Sequence, residues 1–382
     1  MLKIITKKIR FFLPYLGISG LYFSLFFIVI FLFHFYINDA SLQGALNPFY
    51  YFLRWDSIHY LEIALGESQA SVFFPLYPLL IWIFSMFFSP VSSGFIISFF
   101  SLAIALYYLD RLIKRDFNKK ISHHSLLLLL FFPSAIFLPL IYTEALFLAI
   151  LTSFFYYLGE KKWLIAIILA FFATITRNVG IFLWPIFLIS FYLQLNVHPL
   201  GYVKKNLNIL LRKKYFWLSF FIPLGLILYC FYNYLILGDF FAFINYQKNW
   251  SDTHVFKWPW QTIKEMFNII FHLGVNKIGT FNYFRIIFVE FGSFILLFIS
   301  NIYWLIKKHW PYTLFCLLNL ITFSTIFPMA SVNRYVVVIF PIFIFLAQIS
   351  KKQDWLFYFI LSVSYIFFFF NIFIFSSGGW VA

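Results

Sequence analysis

Long apolar runs, many of them enough to cross a bilayer, leave this chain few folds to adopt. They cover roughly residues 11–37, 73–109, 125–158, 163–197, 215–237, 283–306, 310–328, 335–349 and 355–376. About 20 residues of α-helix cross the ~30 Å hydrocarbon layer, so the longer runs are expected to fold as hairpins. Natural breaks stand at Pro139 to Tyr142 and at Thr176-Arg177-Asn178. In hydrocarbon every backbone amide needs a partner in the protein, which leaves helices or a closed barrel. The period-2 alternation of a barrel strand is absent, so helices are expected. With 63% hydrophobic and 11% charged residues, the composition excludes a soluble globular domain. The expected fold is all-α: one polytopic transmembrane bundle spanning residues 1–382.

Charge orients the bundle. The net charge is +15, but most of the 28 Lys and Arg residues lie in short clusters between apolar runs. These are Lys3 to Arg10, Arg111 to Lys120, Lys161-Lys162, Lys204 to Lys214, Lys307-Lys308 and Lys351-Lys352. That pattern is topological rather than a nucleic-acid-binding stripe. Placing the clusters in the cytoplasm, with the N-terminus, puts five polar segments outside: 38–72, Tyr142 to Glu144, Thr176 to Asn178, 238–282 and Ser331 to Arg334. Residues 73–109 are long enough for two spans around Ser89-Pro90, yet the charge bias allows one net crossing. Part of that run is therefore expected to be interfacial or re-entrant, giving about 11 spans, within a range of about 10–13. The long outer loop 238–282 has amphipathic pieces such as Pro259 to Phe271, expected to lie as interfacial helices. The first apolar run is too long for a cleaved signal peptide, and no small-residue cleavage site follows it. Cys230 and Cys316 both fall in apolar runs and indicate neither a disulfide nor a thiol metal site.

The outer segments hold the residues suited to chemistry. Arg54-Trp55-Asp56-Ser57-Ile58-His59-Tyr60-Leu61-Glu62 follows the first span, and polar clusters beside a span are costly to keep. Asp56 starts a short amphipathic helix. It can cap that helix or act as general base on a hydroxyl. Trp55, His59 and Glu62 share one face of it, Asp56 and Tyr60 another, and His59 alone is more often structural. Glu144, in Tyr-Thr-Glu-Ala-Leu-Phe, can stabilise a helix start through the dipole or serve as a second site carboxylate. Arg177 and Arg334 stand at outer helix ends, where they either snorkel to the headgroups or capture a phosphate with a planar fork of donors. Gln247, Lys248 and Trp250 add polar and aromatic groups in the long loop. A Walker loop, a dinucleotide fingerprint and HExxH are all missing, and His123-His124 lacks ligand spacing. Any activated substrate is therefore expected to be lipid-borne.

These elements resemble the PIG-V-like mannosyltransferases, a branch of the membrane glycosyltransferases with the GT-C fold. The resemblance rests on Arg-Trp-Asp-Ser-Ile-His-Tyr-Leu-Glu-Ile-Ala at 54–64, Phe-Phe-Pro-Leu-Tyr-Pro at 73–78 and Tyr-Thr-Glu-Ala-Leu-Phe at 142–147. It continues through Thr-Arg-Asn-Val-Gly at 176–180, Gly-Asp-Phe-Phe-Ala-Phe with Gln247 and Trp250, and Asn-Arg-Tyr with Pro341 at 333–341. It implies a GT-C bundle and a polyprenyl- or dolichyl-phosphate sugar donor, typically of mannose. It also implies inverting transfer on the external face to a glycan, glycolipid or protein acceptor. Asp56 then matches the acidic residue of the first outer loop that deprotonates the acceptor. The donor phosphate falls to Arg177 or Arg334, with Arg54, His59, Glu144, Gln247, Lys248 and Trp250 as substrate contacts. No metal or other cofactor is required, although Asp56 with Glu62 or Glu144 could hold a divalent ion. The chain is shorter than the eukaryotic enzymes of glycolipid-anchor synthesis, which points to a bacterial plasma membrane rather than the endoplasmic reticulum. Three other readings stay open: transfer of another lipid-linked sugar such as aminoarabinose or glucose, a lipid or glycan transporter without covalent chemistry, and a structural or assembly subunit that keeps the fold without activity.

Overall fold

A computed structural model describes residues 2–37, 52–68, 72–195, 209–246, 255–273, 289–327, 329 and 331–381. The principal helices in chain order are α1 Leu2–Ile37, α2 Asp56–Leu65, α3 Leu76–Phe84, α4 Pro90–Asp116, α5 Lys119–Leu130, α6 Glu144–Gly159, α7 Trp163–Thr174 and α8 Leu183–Gln194. They continue with α9 Phe221–Leu237, α10 Pro259–Asn268, α11 Gly292–Ile306, α12 Trp310–Ser324, α13 Val332–Val336, α14 Pro341–Ile349 and α15 Asp354–Ser376. The fold is all-α as expected; among the described residues strand pairing is confined to a two-residue antiparallel ladder, Val255–Phe256 on Ile326–Phe327.

Among the described residues five helical stretches are long and apolar enough to cross a membrane: Phe11–Leu32, Pro90–Asp116, Lys214–Leu237, Val289–Ile306 and Asp354–Ser376. The ambiguous run at 73–109 divides where the sequence breaks. The 9 residues of α3 rise only ~14 Å, under half the hydrocarbon thickness. α4 then begins at Pro90, with the Ser89 hydroxyl accepting from the Ser92 amide at 3.1 Å. Proline at the first helical position gives up an amide that would be orphaned anyway.

The chain forms two compact units, Met1–Tyr156 with Leu346–Val381, and Tyr157–Phe345. In the first, α1, α4, α5 and α15 surround a passage between α5 and α6 that holds only one short 3-10 helix, Pro133–Phe137. Leu138, Leu140, Ile141 and Tyr142 are fully buried there. Buried irregular backbone is tolerable only if its carbonyls find donors. Side chains of the surrounding helices supply them. Tyr22 donates to Ala135 O at 2.9 Å, Ser98 to Leu140 O at 2.7 Å and Asn371 to Pro133 O at 2.9 Å. Nearer the basic end of α4, buried Asp110 accepts from Tyr15, Ser122 and Lys114 at 2.5, 2.6 and 2.7 Å, which ties α1, α4 and α5 together.

In the second unit, α7 and α9 pack closely because Gly225 presents no side chain to Thr174, whose hydroxyl bonds Ile222 O at 3.3 Å. The α11–α12 hairpin turns at Lys307-Lys308, with Lys308 at φ 57°. The His309 amide bonds Trp304 O and the Lys308 amide Leu305 O, both at 3.0 Å. Lys161-Lys162 closes the α6–α7 turn in the same way. α10 buries Thr262 and Met266 while Trp260, Lys264 and Phe267 face outward, as an interfacial helix would.

Candidate functional site

The first-unit cluster is built on α2. Asp56 is the first helical residue and Trp55 the cap, which contributes no side-chain bond. This corrects the expectation that Asp56 caps the helix: its carboxylate sits in the first turn, where the dipole favours a negative charge. Gly66, left-handed at φ 76°, ends α2 with its amide on Glu62 O and Ile63 O. Trp55 has φ 51° and ψ −120°, a conformation that bulky residues almost never adopt. One turn beyond Asp56, Tyr60 packs edge-on against Phe73 and Tyr77, and its hydroxyl reaches Thr143 Oγ1 at 3.5 Å. Thr143 precedes Glu144, the first residue of α6, which is fully buried and within electrostatic range of Tyr77. On the neighbouring face His59 Nδ1 meets Glu62 Oε2 at 3.2 Å and the imidazole lies over Phe73. Phe-Phe-Pro-Leu-Tyr-Pro thus supplies the apolar wall behind α2. Arg54 turns elsewhere: its guanidinium donates to Phe375 O at 2.9 Å and Ser376 O at 3.4 Å.

The second-unit cluster gathers Arg177, Arg334, Tyr335 and Glu290. Arg177 is only 8% exposed and Arg334 4%, so neither snorkels; both guanidinium groups are held inside the protein. Their Cζ atoms lie 4.6 and 5.9 Å from the centroid of the Tyr335 ring, within the range of cation–π attraction. Phe323 stacks on that same ring. Glu290, 1% exposed, accepts from the Ser331 and Asn333 amides at 3.3 and 3.1 Å, fixing the turn that leads into Arg334. Ser331 is itself left-handed, with φ 62°. Among the described residues four non-glycine residues have positive φ, and two of them, Trp55 and Ser331, flank the two clusters. The other two are Lys161 and Lys308, in ordinary helix-ending turns.

Glu290 is the functional candidate that sequence reasoning missed. Its signal was a lone carboxylate inside an apolar run, which by itself marks a site in a membrane protein. Of the predicted residues, Arg54, Asp56, His59 and Glu144 fall in the first unit and Arg177 and Arg334 in the second. Gln247, Lys248 and Trp250 lie outside the described residues. Among the described residues no three His, Cys, Asp or Glu side chains are grouped to hold a metal ion.

Gly180 shapes the Arg177 turn. A Cβ at this position would stand 2.2 Å from Ala173 O and 2.3 Å from Ala173 C. Those are backbone atoms and cannot rotate away. Gly180→Ala is expected to cost ~3 kcal/mol or more by overpacking, seen as a lowered thermal unfolding midpoint in detergent; an unchanged midpoint would show that the turn yields. No known protein family, characterised protein or solved structure matches this chain.

Proposed function

We propose that the protein is a membrane glycosyltransferase that transfers a sugar, mannose in the leading reading, from a polyprenyl-phosphate donor to an acceptor hydroxyl, with inversion. The observation that carries this reading is the pair of buried arginines on one tyrosine ring. Ionisable side chains held inside a membrane protein mark functional sites, and two planar guanidinium forks beside one tyrosine ring suit an anion. An arginine fork matches phosphate geometry, and the missing nucleotide motifs leave lipid phosphate as the sugar carrier. In the reaction the acceptor oxygen attacks the anomeric carbon from the face opposite the phosphate. The carbon–oxygen bond to phosphate breaks and its electron pair leaves with the polyprenyl phosphate. Asp56 takes the acceptor proton. Arg177 and Arg334 stabilise the charge that grows on the departing phosphate. Glu144 and His59 are assigned as substrate contacts.

The same reading makes the bundle a GT-C-like fold of about 11 spans, in a bacterial plasma membrane with the N-terminus in the cytoplasm. It rests on the order of the motifs from Asp56 to Pro341 and on the charge pattern. Incubating purified protein with radiolabelled polyprenyl-phosphate mannose and a membrane lipid extract should yield a labelled product and free polyprenyl phosphate. Turnover only with another lipid-linked sugar would move the assignment to that sugar. Movement of the labelled lipid between leaflets of a vesicle, with no product, would replace transfer by transport.

A further inference from the structure

We infer that the Ser377–Val381 segment, clamped by Arg54 and Trp55, is a strap that holds Asp56 in place, so that Arg54, Trp55 and Trp380 act as positioning residues. The inference rests on the reading of Asp56 as the base. α15 runs up to Ser376, and its exposed carbonyls need donors. Arg54 supplies them by bonding Phe375 O and Ser376 O, and its guanidinium also lies 5.8 Å from the Phe375 ring centroid. A cation at this end of a helix is also favoured by the dipole.

The chain then reverses at Gly378, which is left-handed at φ 88°. The Gly379 amide returns to Ile374 O at 2.8 Å. A Cβ on Gly378 would come within 3.0 Å of Arg54 Nη1, and one on Gly379 within 2.5 Å of Ile374 Cγ2. The reversal lays Trp380 edge-on against Trp55, with centroids 4.8 Å apart, and buries Val381. Trp55 also meets Phe375 edge-on at 5.5 Å. Both neighbours of the peptide leading into Asp56 are thus tied to the end of α15. Tyr142 closes the arrangement by donating to Arg54 O at 3.0 Å, and the Ser57 and Ile58 amides bond Arg54 O and Trp55 O.

Such fastening explains how Trp55 keeps a backbone conformation that costs free energy. Strained residues persist only where the surroundings over-determine them, and they gather where a reactive group must be held in one geometry. Here the strained residue directly precedes the proposed base. A base displaced by about 1 Å can lose on the order of a hundredfold in rate.

The test compares Trp380→Ala, Trp380→Phe and Asp56→Asn in the full chain by two readouts. Hydrogen exchange of the Ser57 and Ile58 amides should quicken about tenfold in Trp380→Ala, and the amides of α4 should not change. With labelled polyprenyl-phosphate mannose, Trp380→Ala should lose on the order of a hundredfold in kcat at unchanged donor KM, and Trp380→Phe should recover most of it. Unchanged exchange at Ser57 and Ile58 overturns the strap whatever the assay gives. Full turnover by Trp380→Ala beside an inactive Asp56→Asn overturns its positioning role alone. An active Asp56→Asn overturns the base assignment and the positioning role together.

Discussion

Asp56→Asn should lower kcat by on the order of 10²–10⁴-fold, the usual range for removing a general base, and leave the protein folded. The amide has the size of the carboxylate but cannot take a proton from a hydroxyl. Its structural effect is small, because asparagine keeps the size of the side chain and an acceptor oxygen in the first helical turn. Losing a first-turn acid costs about 0.3–1 kcal/mol, so the unfolding midpoint should move little. Donor KM should also hold, since the phosphate is assigned to Arg177 and Arg334. Initial rates with labelled donor, set beside thermal unfolding of the same preparations, decide the matter. Full activity in Asp56→Asn would remove this residue from the chemistry. Low activity with a collapsed midpoint would make its role structural.

The helical architecture was legible because it follows from solvation. Apolar length, prolines and basic clusters foretold the breaks at Ser89-Pro90 and Thr176 to Asn178, and both are observed helix ends. The Pro139 to Tyr142 break is part of a longer buried passage, whose extent depends on donors from Tyr22, Ser98 and Asn371, remote in sequence. Helical spacing also foretold the His59–Glu62 pair.

The side-chain environment was less legible. Asp56 looked like a cap because acids favour caps, but the cap position was set by the unusual φ of Trp55, which the residue type argues against. Arg177 and Arg334 were legible as charges at helix ends. Whether such a guanidinium turns outward or inward depends on what stands beside it, here Tyr335. Arg54 places two donors on the carbonyls of a helix more than 300 residues later. No local pattern reports a partner at that separation. Glu290 was hidden by the apolar residues around it, although its isolation was itself a signal.

The second large effect concerns the arginines. Arg177→Ala and Arg334→Ala should each raise donor KM by roughly one to two orders of magnitude, since a charge-assisted bond contributes about 1.5–3 kcal/mol. Arg177→Lys should recover only part of the loss, because an ammonium lacks the planar fork and stacks less well on Tyr335. Glu290→Ala separates capture from scaffolding. It leaves the half-buried Ser331 amide and the buried Asn333 amide without their acceptor, the latter costing about 1–3 kcal/mol, and frees the turn that aims Arg334. Its midpoint should therefore fall together with donor affinity. Arg177→Ala removes the guanidinium that lies on Tyr335 and should weaken binding. Titration with a polyprenyl phosphate, read by intrinsic fluorescence, compares the affinities directly. If both arginine variants bind polyprenyl phosphate as the parent does, the buried pair is part of the packing and the phosphate is held elsewhere. If binding falls in both, Arg177 and Arg334 form the anion site, and a joint fall of midpoint and affinity in Glu290→Ala makes Glu290 the residue that sets its geometry.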